Sequence, residues 1–256
     1  MRFALLAFTL LLAGAQPLVA SGAAPAPIIR VAKPAFPAPL DALSPSGPLR
    51  LSTVSTGPRA PAYTPSRNAP RPGGAGLELG GASLQRVFAQ PGTTFVVYGT
   101  GVLAGFGPRG AMKYAFDFRT FGFPPRSLVP AAYGPQEVVW ARQLGNRLVV
   151  QTSHLGYASD SGDRNGYLTA LDVRSGRILW RSASLVANAD NFLVVSGLLV
   201  SGYGFTAERD WLYLVDPADG RVRDRLALPS MAERLSLRDG GIVVRAYDAR
   251  VIVAVR

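Results

Sequence analysis

His154 is the sole histidine, so any catalysis that needs an imidazole base must pass through it. Thr152 and Ser153 are the hydroxyls beside it, and the chain has no G-x-S-x-G turn to present a nucleophile. A lone histidine following a strand serves as a loop hydrogen-bond partner, and no catalytic residue is assigned. The loop 160–166, DSGDRNG, places two carboxylates and an amide in a glycine-rich turn. Calcium takes six or more oxygens, and Arg164 interrupts the acids, so the loop reads as a solvated hairpin tip and no metal site is assigned.

A second set of residues suits binding. Phe106, His154, Tyr203 and Tyr247 stand near corresponding ends of four strand-like runs. Gathered on one face with Phe205, Glu208, Arg245 and Asp248, they would form a surface for a peptide, glycan or polymer. The opposing reading is that the rings cap the packing beneath. The loop 202–208, GYGFTAE, is the most distinctive, because two glycines permit backbone geometry closed to other residues. An envelope hydrolase acting on glycan or ester bonds is the competing function. It would need Glu137, Asp160, Asp163, Glu208, Asp210 or Asp248 to converge in one cleft.

The elements that must position these residues are short strands. The stretch 165–180, NGYLTALDVRSGRILW, reads as a hairpin: alternating Tyr167, Thr169 and Leu171, a turn at Asp172 and Ser175-Gly176, and a return through Trp180. Further strands are expected at 84–88, 95–98, 102–106, 112–118, 137–142 and 147–152, and then at 192–196, 198–203, 211–215, 222–228, 234–237, 242–247 and 251–255. No window offers sustained helical periodicity without a breaker, so the domain is all-β. Asp117, Asp172 and Asp216 close corresponding strands 55 and 44 residues apart, and Gly176 and Gly220 mark the turns that follow the last two. A period of about 40–50 residues with four strands per unit describes a propeller blade. Four units fit, giving a β-propeller of about four blades.

Ala170-Leu171-Asp172, Ser175-Gly176 and Trp180 resemble the quinoprotein-like (PQQ-like) β-propeller repeat. The unit ending at Asp216 keeps Gly220 but carries Asp224 where the repeat has Trp, and the unit ending at Asp117 has Phe121 in place of the glycine. The resemblance implies a propeller with a binding role. The family's cofactor-using dehydrogenases have a full eight-blade ring, adjacent cysteines and calcium ligands, whereas this chain has no cysteine, so no cofactor is expected. The family's non-enzymatic members include a lipoprotein of outer-membrane-protein assembly, but no cysteine is present here to lipidate.

Residues 1–22 have the layout of a secretory signal peptide: Met1-Arg2, an apolar run, then small residues. Residues 23–80 are rich in Ala and Pro and read as a disordered linker, although the apolar islands 28–31 and 49–54 can dock as edge strands. Residues 81–256 form the propeller domain. The expected location is the periplasm or outside the cell, with no membrane span once the signal is removed. The formal charge of +11 is almost all arginine and is dispersed, without a nucleic-acid-binding motif. The expected partner is therefore a protein or envelope polymer. The fourth unit lacks its last strand; 84–88 is expected to supply it and close the ring, the alternative being an open half-ring that pairs as a homodimer.

Overall fold

The computed structural model describes residues 26–58, 69–121, 136–154, 156–238 and 240–256. The signal peptide and part of the linker lie outside the described residues. Two strands come from the Pro/Ala-rich arm, β1 (Ile28–Arg30) and β2 (Leu51–Pro58). A short hairpin follows, β3 (Glu78–Leu79) with β4 (Ala82–Gln90). The rest are β5 (Thr93–Tyr98), β6 (Val102–Phe106), β7 (Met112–Asp117), β8 (Glu137–Leu144), β9 (Arg147–Ser153), β10 (Tyr167–Asp172) and β11 (Ile178–Arg181). The chain ends with β12 (Leu193–Val195), β13 (Leu198–Tyr203), β14 (Trp211–Val215), β15 (Val222–Ala227), β16 (Ala232–Arg238), β17 (Gly241–Ala246) and β18 (Ala249–Val255). Each strand expected between 84 and 255 is present.

They form four sheets, β1-β7-β6-β5-β4-β3, β11-β10-β9-β8, β12-β13-β14-β15 and β16-β17-β18-β2, referred to as blades 1 to 4. Matching backbone bonds set the equivalence of units: Phe118 N–H donates to Gly101 O at 2.7 Å, and Val173 N–H donates to Asn146 O at 2.8 Å. Both bonds join the turn after the third strand to the turn between the first two, so β5-β6-β7 corresponds to β8-β9-β10. β4 is then an additional strand on the inner side of blade 1. There Arg86 Nη1 donates to Val139 O of β8, and its charge reaches Asp190 at the start of blade 3. β4 thus touches blade 2 through Arg86 and lies within electrostatic reach of the turn that leads into blade 3.

The aspartate turns work as the residue types require. Asp172 Oδ1 accepts from the Arg174 and Ser175 N–H groups at 3.1 and 2.9 Å, and Gly176 takes φ 70°. Asp216 Oδ1 accepts from Ala218 N–H at 2.7 Å, with Gly220 at φ 75°. Asp117 instead holds Arg119, whose Nη2 donates to Oδ2 at 2.6 Å, and that hydrogen bond keeps its carboxyl below the usual range. With Phe121 in place of glycine the chain makes a 3₁₀ turn at Arg119–Phe121. β1 fills the vacant outer position of blade 1, parallel to β7.

Three apolar cores lie between successive blades. One packs Phe95, Phe116, Leu148 and Leu171; the next Leu168, Trp180, Leu199 and Val215; the third Val200, Leu214, Val244 and Val253. The outer face of blade 1, with Val96, Val102 and Phe106, is covered by its own preceding segment through Ala75 and Leu79, and no blade 4 residue joins that cluster. In blade 4, Ile242, Val244 and Ala246 are buried on the face toward blade 3, while Val243 and Arg245 on the other face are partly buried.

Closure by residues 84–88 is therefore corrected. The strand completing blade 4 is β2, antiparallel to β18 from Ala249↔Pro58 to Val255↔Leu51. Residues 84–88 belong to β4, whose hydrogen bonds are spent on β5 in blade 1. The arm also differs from a disordered linker at both apolar islands. It runs along the rims, bonding through Val31 N–H to Asp117 O, Pro37 O to the Tyr167 hydroxyl and Ser46 N–H to Arg223 O before it becomes β2. Among the described residues no apolar core joins blade 4 to blade 1.

Candidate functional site

Phe106, His154, Tyr203 and Tyr247 do fall at the ends of corresponding strands, β6, β9, β13 and β17. They do not make a displayed aromatic ring. Phe106 is 0 % exposed, Tyr203 2 % and His154 7 %, so these three cap the packing, while Tyr247 is 59 % exposed. The cause is steric: Tyr203 lies over Gly166, where a Cβ would come within 2.6 Å of the ring. Tyr247 and Asp248 occupy a tight turn in which Asp248 Oδ1 accepts from Ser230 Oγ.

The loops of blades 2 and 3 converge. Glu208 joins them, its Oε2 accepting from the Tyr203 hydroxyl at 2.7 Å and its Oε1 from Ala158 N–H at 2.5 Å. Burial, reinforced by Glu208, pushes the Tyr203 phenol far up. Phe205 packs edge-on against Tyr157 at 4.8 Å, bracing the same pair of loops. His154 Nε2 and Ser161 Oγ share a hydrogen bond of 2.8 Å, and the His154 backbone N–H donates to Asn165 Oδ1 at 2.9 Å. Burial lowers the imidazole pKa, opposed by the charges of Asp160 and Glu208. The partner of His154 is thus Ser161, not the adjacent Thr152 or Ser153. A His–Ser pair is the elementary base–nucleophile unit, but here it organises a loop: the Ser161 hydroxyl also donates to Ala158 O at 3.2 Å. In the 160–166 turn the Asn165 side-chain oxygen is spent on backbone N–H groups of His154 and Gly166. No group of three His, Asp or Glu side chains among the described residues is placed to hold a metal.

Beside these loops lies a cavity of about 510 Å³. Tyr157, Trp211 and Tyr213 supply aromatic walls, Asp163 and Glu208 supply carboxylates, and residues 39–41 of the arm form one side. Arg225 lies over the Trp211 ring with its guanidinium carbon 4.4 Å from the centroid. Burial pushes the Tyr213 phenol up to about 12. The arrangement offers ring faces, hydroxyls and charges of both signs. Neither His154 nor Ser161 lines it.

Sequence reasoning passed over Tyr157, Trp211, Tyr213 and Arg225. A signal was available for two of them, since Trp211 and Tyr213 are two apart on a strand and share a face. Nothing local marked the arm residues, which arrive from more than a hundred positions away.

Of the acids weighed for hydrolysis, Asp163 and Glu208 share the cavity, and Asp210 feels Asp248 and Glu208 nearby. Burial first, then those two charges, push the Asp210 carboxyl up to about 6. Its Oδ1 is buried without a hydrogen-bond partner and is packed so closely on Gly204 that a Cβ there would collide with it. Between its ordinary value and about 6 the folded state holds a proton that the unfolded chain has released, so stability falls as pH rises through that window. Asp210→Asn is expected to stabilise the fold at pH 7 by about 1 kcal/mol after allowance for solvent screening, and by nothing at pH 4. Thermal unfolding of both proteins at the two pH values measures it, and an equal shift at both removes the electrostatic account.

No family model and no curated protein matches this chain. Among solved structures it is similar to a computationally designed protein, Ika8, at 13% identity and a TM-score of 0.47, covering 70% of this chain and 47% of the other. It is also similar to BamB from Moraxella catarrhalis (11% identity, TM-score 0.32, 70% and 71% covered) and to a glutaminyl cyclase of Myxococcus xanthus (12% identity, TM-score 0.39, 69% and 74% covered). The chain thus spans about half the length of the designed protein it matches. The propeller assignment rests on the blade order and inter-blade cores described above.

Proposed function

We propose that this protein is an exported, non-catalytic binding module of the periplasm or cell envelope, holding a protein segment or envelope polymer in the cavity between the loops of blades 2 and 3. The observation that carries this reading is the aromatic-walled cavity, with paired Tyr157–Phe205 and Arg225–Trp211 contacts holding its rim. Aromatic faces with a few charged groups suit a saccharide or peptide surface, where ring area supplies affinity and the charges set orientation. Export follows from the leader at 1–22, and mass spectrometry of the protein from its native host should show a mature start near that boundary. Blade 4 carries Arg234, Arg238, Arg245 and Arg250, with Arg245 held by Glu233 at 2.8 Å.

Trp211 tests the binding site better than Tyr203, whose ring is part of the core. Immobilised protein is expected to retain its partner from an envelope fraction, and Trp211→Ala to lower that retention at least about tenfold while circular dichroism shows the strand content kept. Unchanged retention by Trp211→Ala would place any partner elsewhere. Turnover of ester or glycoside substrates by the purified wild-type protein would replace the binding reading with the hydrolase.

A further inference from the structure

Arg181, at the end of β11, is a largely buried cation with no paired anion among the described residues. Its guanidinium carbon lies 4.0 Å from the Tyr167 ring centroid, 4.8 Å from that of Phe121 and 4.9 Å from that of Phe36. The three rings come from blade 2, from the turn leaving blade 1 and from the arm. Nη2 donates to Gln136 Oε1 at 3.2 Å, while Nε and Nη1 are buried without a hydrogen-bond partner. Among the described residues no carboxylate pairs with it. Outside the described residues the sequence holds a single acid, Asp239, and the stretch 122–135, GFPPRSLVPAAYGP, holds none.

Guanidinium groups below the surface are ordinarily paired with carboxylate or phosphate, because desolvation removes what water supplied and rings replace it in part. Burial here pushes the pKa down to about 9, which leaves the group charged at neutral pH. The charge of Arg164 also acts on Tyr167, so the positive potential at this spot is not Arg181's alone. Arg181 keeps part of its surface in solvent, which sets the cage just beneath the exterior. Phe36 is the wall that the arm supplies and packs edge-on against Tyr167 at 6.0 Å, so a ligand entering on that side must displace it.

We propose that the Arg181 cage is a binding site for an oxyanion, the carboxylate or phosphate group of a small ligand, separate from the cavity between blades 2 and 3. An anion entering the cage accepts from the unpartnered Nε–H or from the unpartnered Nη1–H, which point to different edges of the guanidinium plane, and the three rings wall it from competing water.

The full-length mature protein tests this through its thermal unfolding at fixed ionic strength, with chloride replaced stepwise by acetate or by inorganic phosphate. Constant ionic strength holds general screening of the basic surface equal across the series. The expected result is a rise in Tm of about 3 °C or more at saturation with one anion, lost in Arg181→Met and kept in Arg174→Met, which removes an exposed arginine. A response to phosphate alone identifies a phosphate-bearing ligand, and a response to acetate alone a carboxylate. Should Arg181→Met fail to fold, titration calorimetry of the wild-type protein with the same two anions decides the question. No saturable heat and no Tm rise with either anion, or an undiminished rise in Arg181→Met, overturns the proposal.

Discussion

Replacing Trp180 by alanine is expected to destabilise the protein by about 3–5 kcal/mol, lowering Tm by roughly 8–15 °C. Trp180 is the ring by which blade 2 meets blade 3. Its indole N–H donates to Pro217 O at 3.0 Å, and its face lies over Gly220 in the aspartate turn of the next blade. A Cβ on Gly220 would come within 2.7 Å of Trp180 Cδ2, at a φ of 75° that side chains rarely adopt. Gly220→Val should therefore cost about 3 kcal/mol or more from the opposite side of the contact. The same knob and socket recurs one blade earlier, where the Gly176 position lies against Ile29 of β1 and Phe116 of β7. Leu179 is 37 % exposed and serves as the neighbouring comparison, with Leu179→Ala expected to cost less than about 1 kcal/mol. Denaturant titration of the three variants provides the check. Equal losses at Trp180 and Leu179 would show that the blade interface is not where the stability resides.

Removal of the arm through Pro58 should abolish the folded state altogether. β2 is the outermost strand of blade 4, and without it the β18 edge from Ala249 to Val255 has no partner. Leu51 would leave the core between blades 3 and 4, and Asp224 would lose the Leu51 N–H that its Oδ2 accepts at 2.7 Å. Asp224 is 5 % exposed, and a buried carboxylate stripped of its donor costs several kcal/mol, about 3–5 in comparable cases. Together these losses are comparable with the whole stability of an ordinary domain, about 5–15 kcal/mol. Circular dichroism of the truncated chain is expected to show an unfolded or aggregated protein, and addition of a peptide spanning 46–58 to restore part of the signal. A truncated chain that folds normally would mean that blade 4 is completed by something other than β2.

This second result bears on how the sequence was read. Asp224 stands where the repeat resemblance calls for tryptophan, and by itself it looks like a defective unit. In the fold it is the acceptor that docks the arm at the start of β2. The departure at Phe121 coincides with a second such place, since the outer position of blade 1, beside β7, is held by β1. Both deviations from the repeat mark points where the N-terminal arm is built in.

Of the candidate site, Glu208 and Phe205 were visible in advance because a glycine-rich loop with aromatic and acidic residues is distinctive by composition alone. His154 and Tyr203 stood where the repeat placed them, yet they turned inward: Gly166 leaves a socket that the Tyr203 ring fills, and that socket belongs to the neighbouring loop. Exposure was decided by packing across blades, which no spacing along one strand encodes. Trp211 was half-legible from its alternation with Tyr213, whereas Arg225 over its ring depends on the pairing of β14 with β15.

By itself the sequence determined the strands, their hairpin turns and the repetition of the unit. Each of these depends on residues within about ten positions of one another: alternating apolar side chains, an aspartate that accepts N–H groups two and three residues on, a glycine free to take positive φ. The tertiary structure alone decided that β2 completes blade 4 and that the arm lines the cavity. It alone decided that Arg181 is enclosed by rings from three separate parts of the chain. Those outcomes join segments up to two hundred residues apart, and strand edges carry the same N–H and C=O groups everywhere, so the choice of partner is made by the fit of the packed faces.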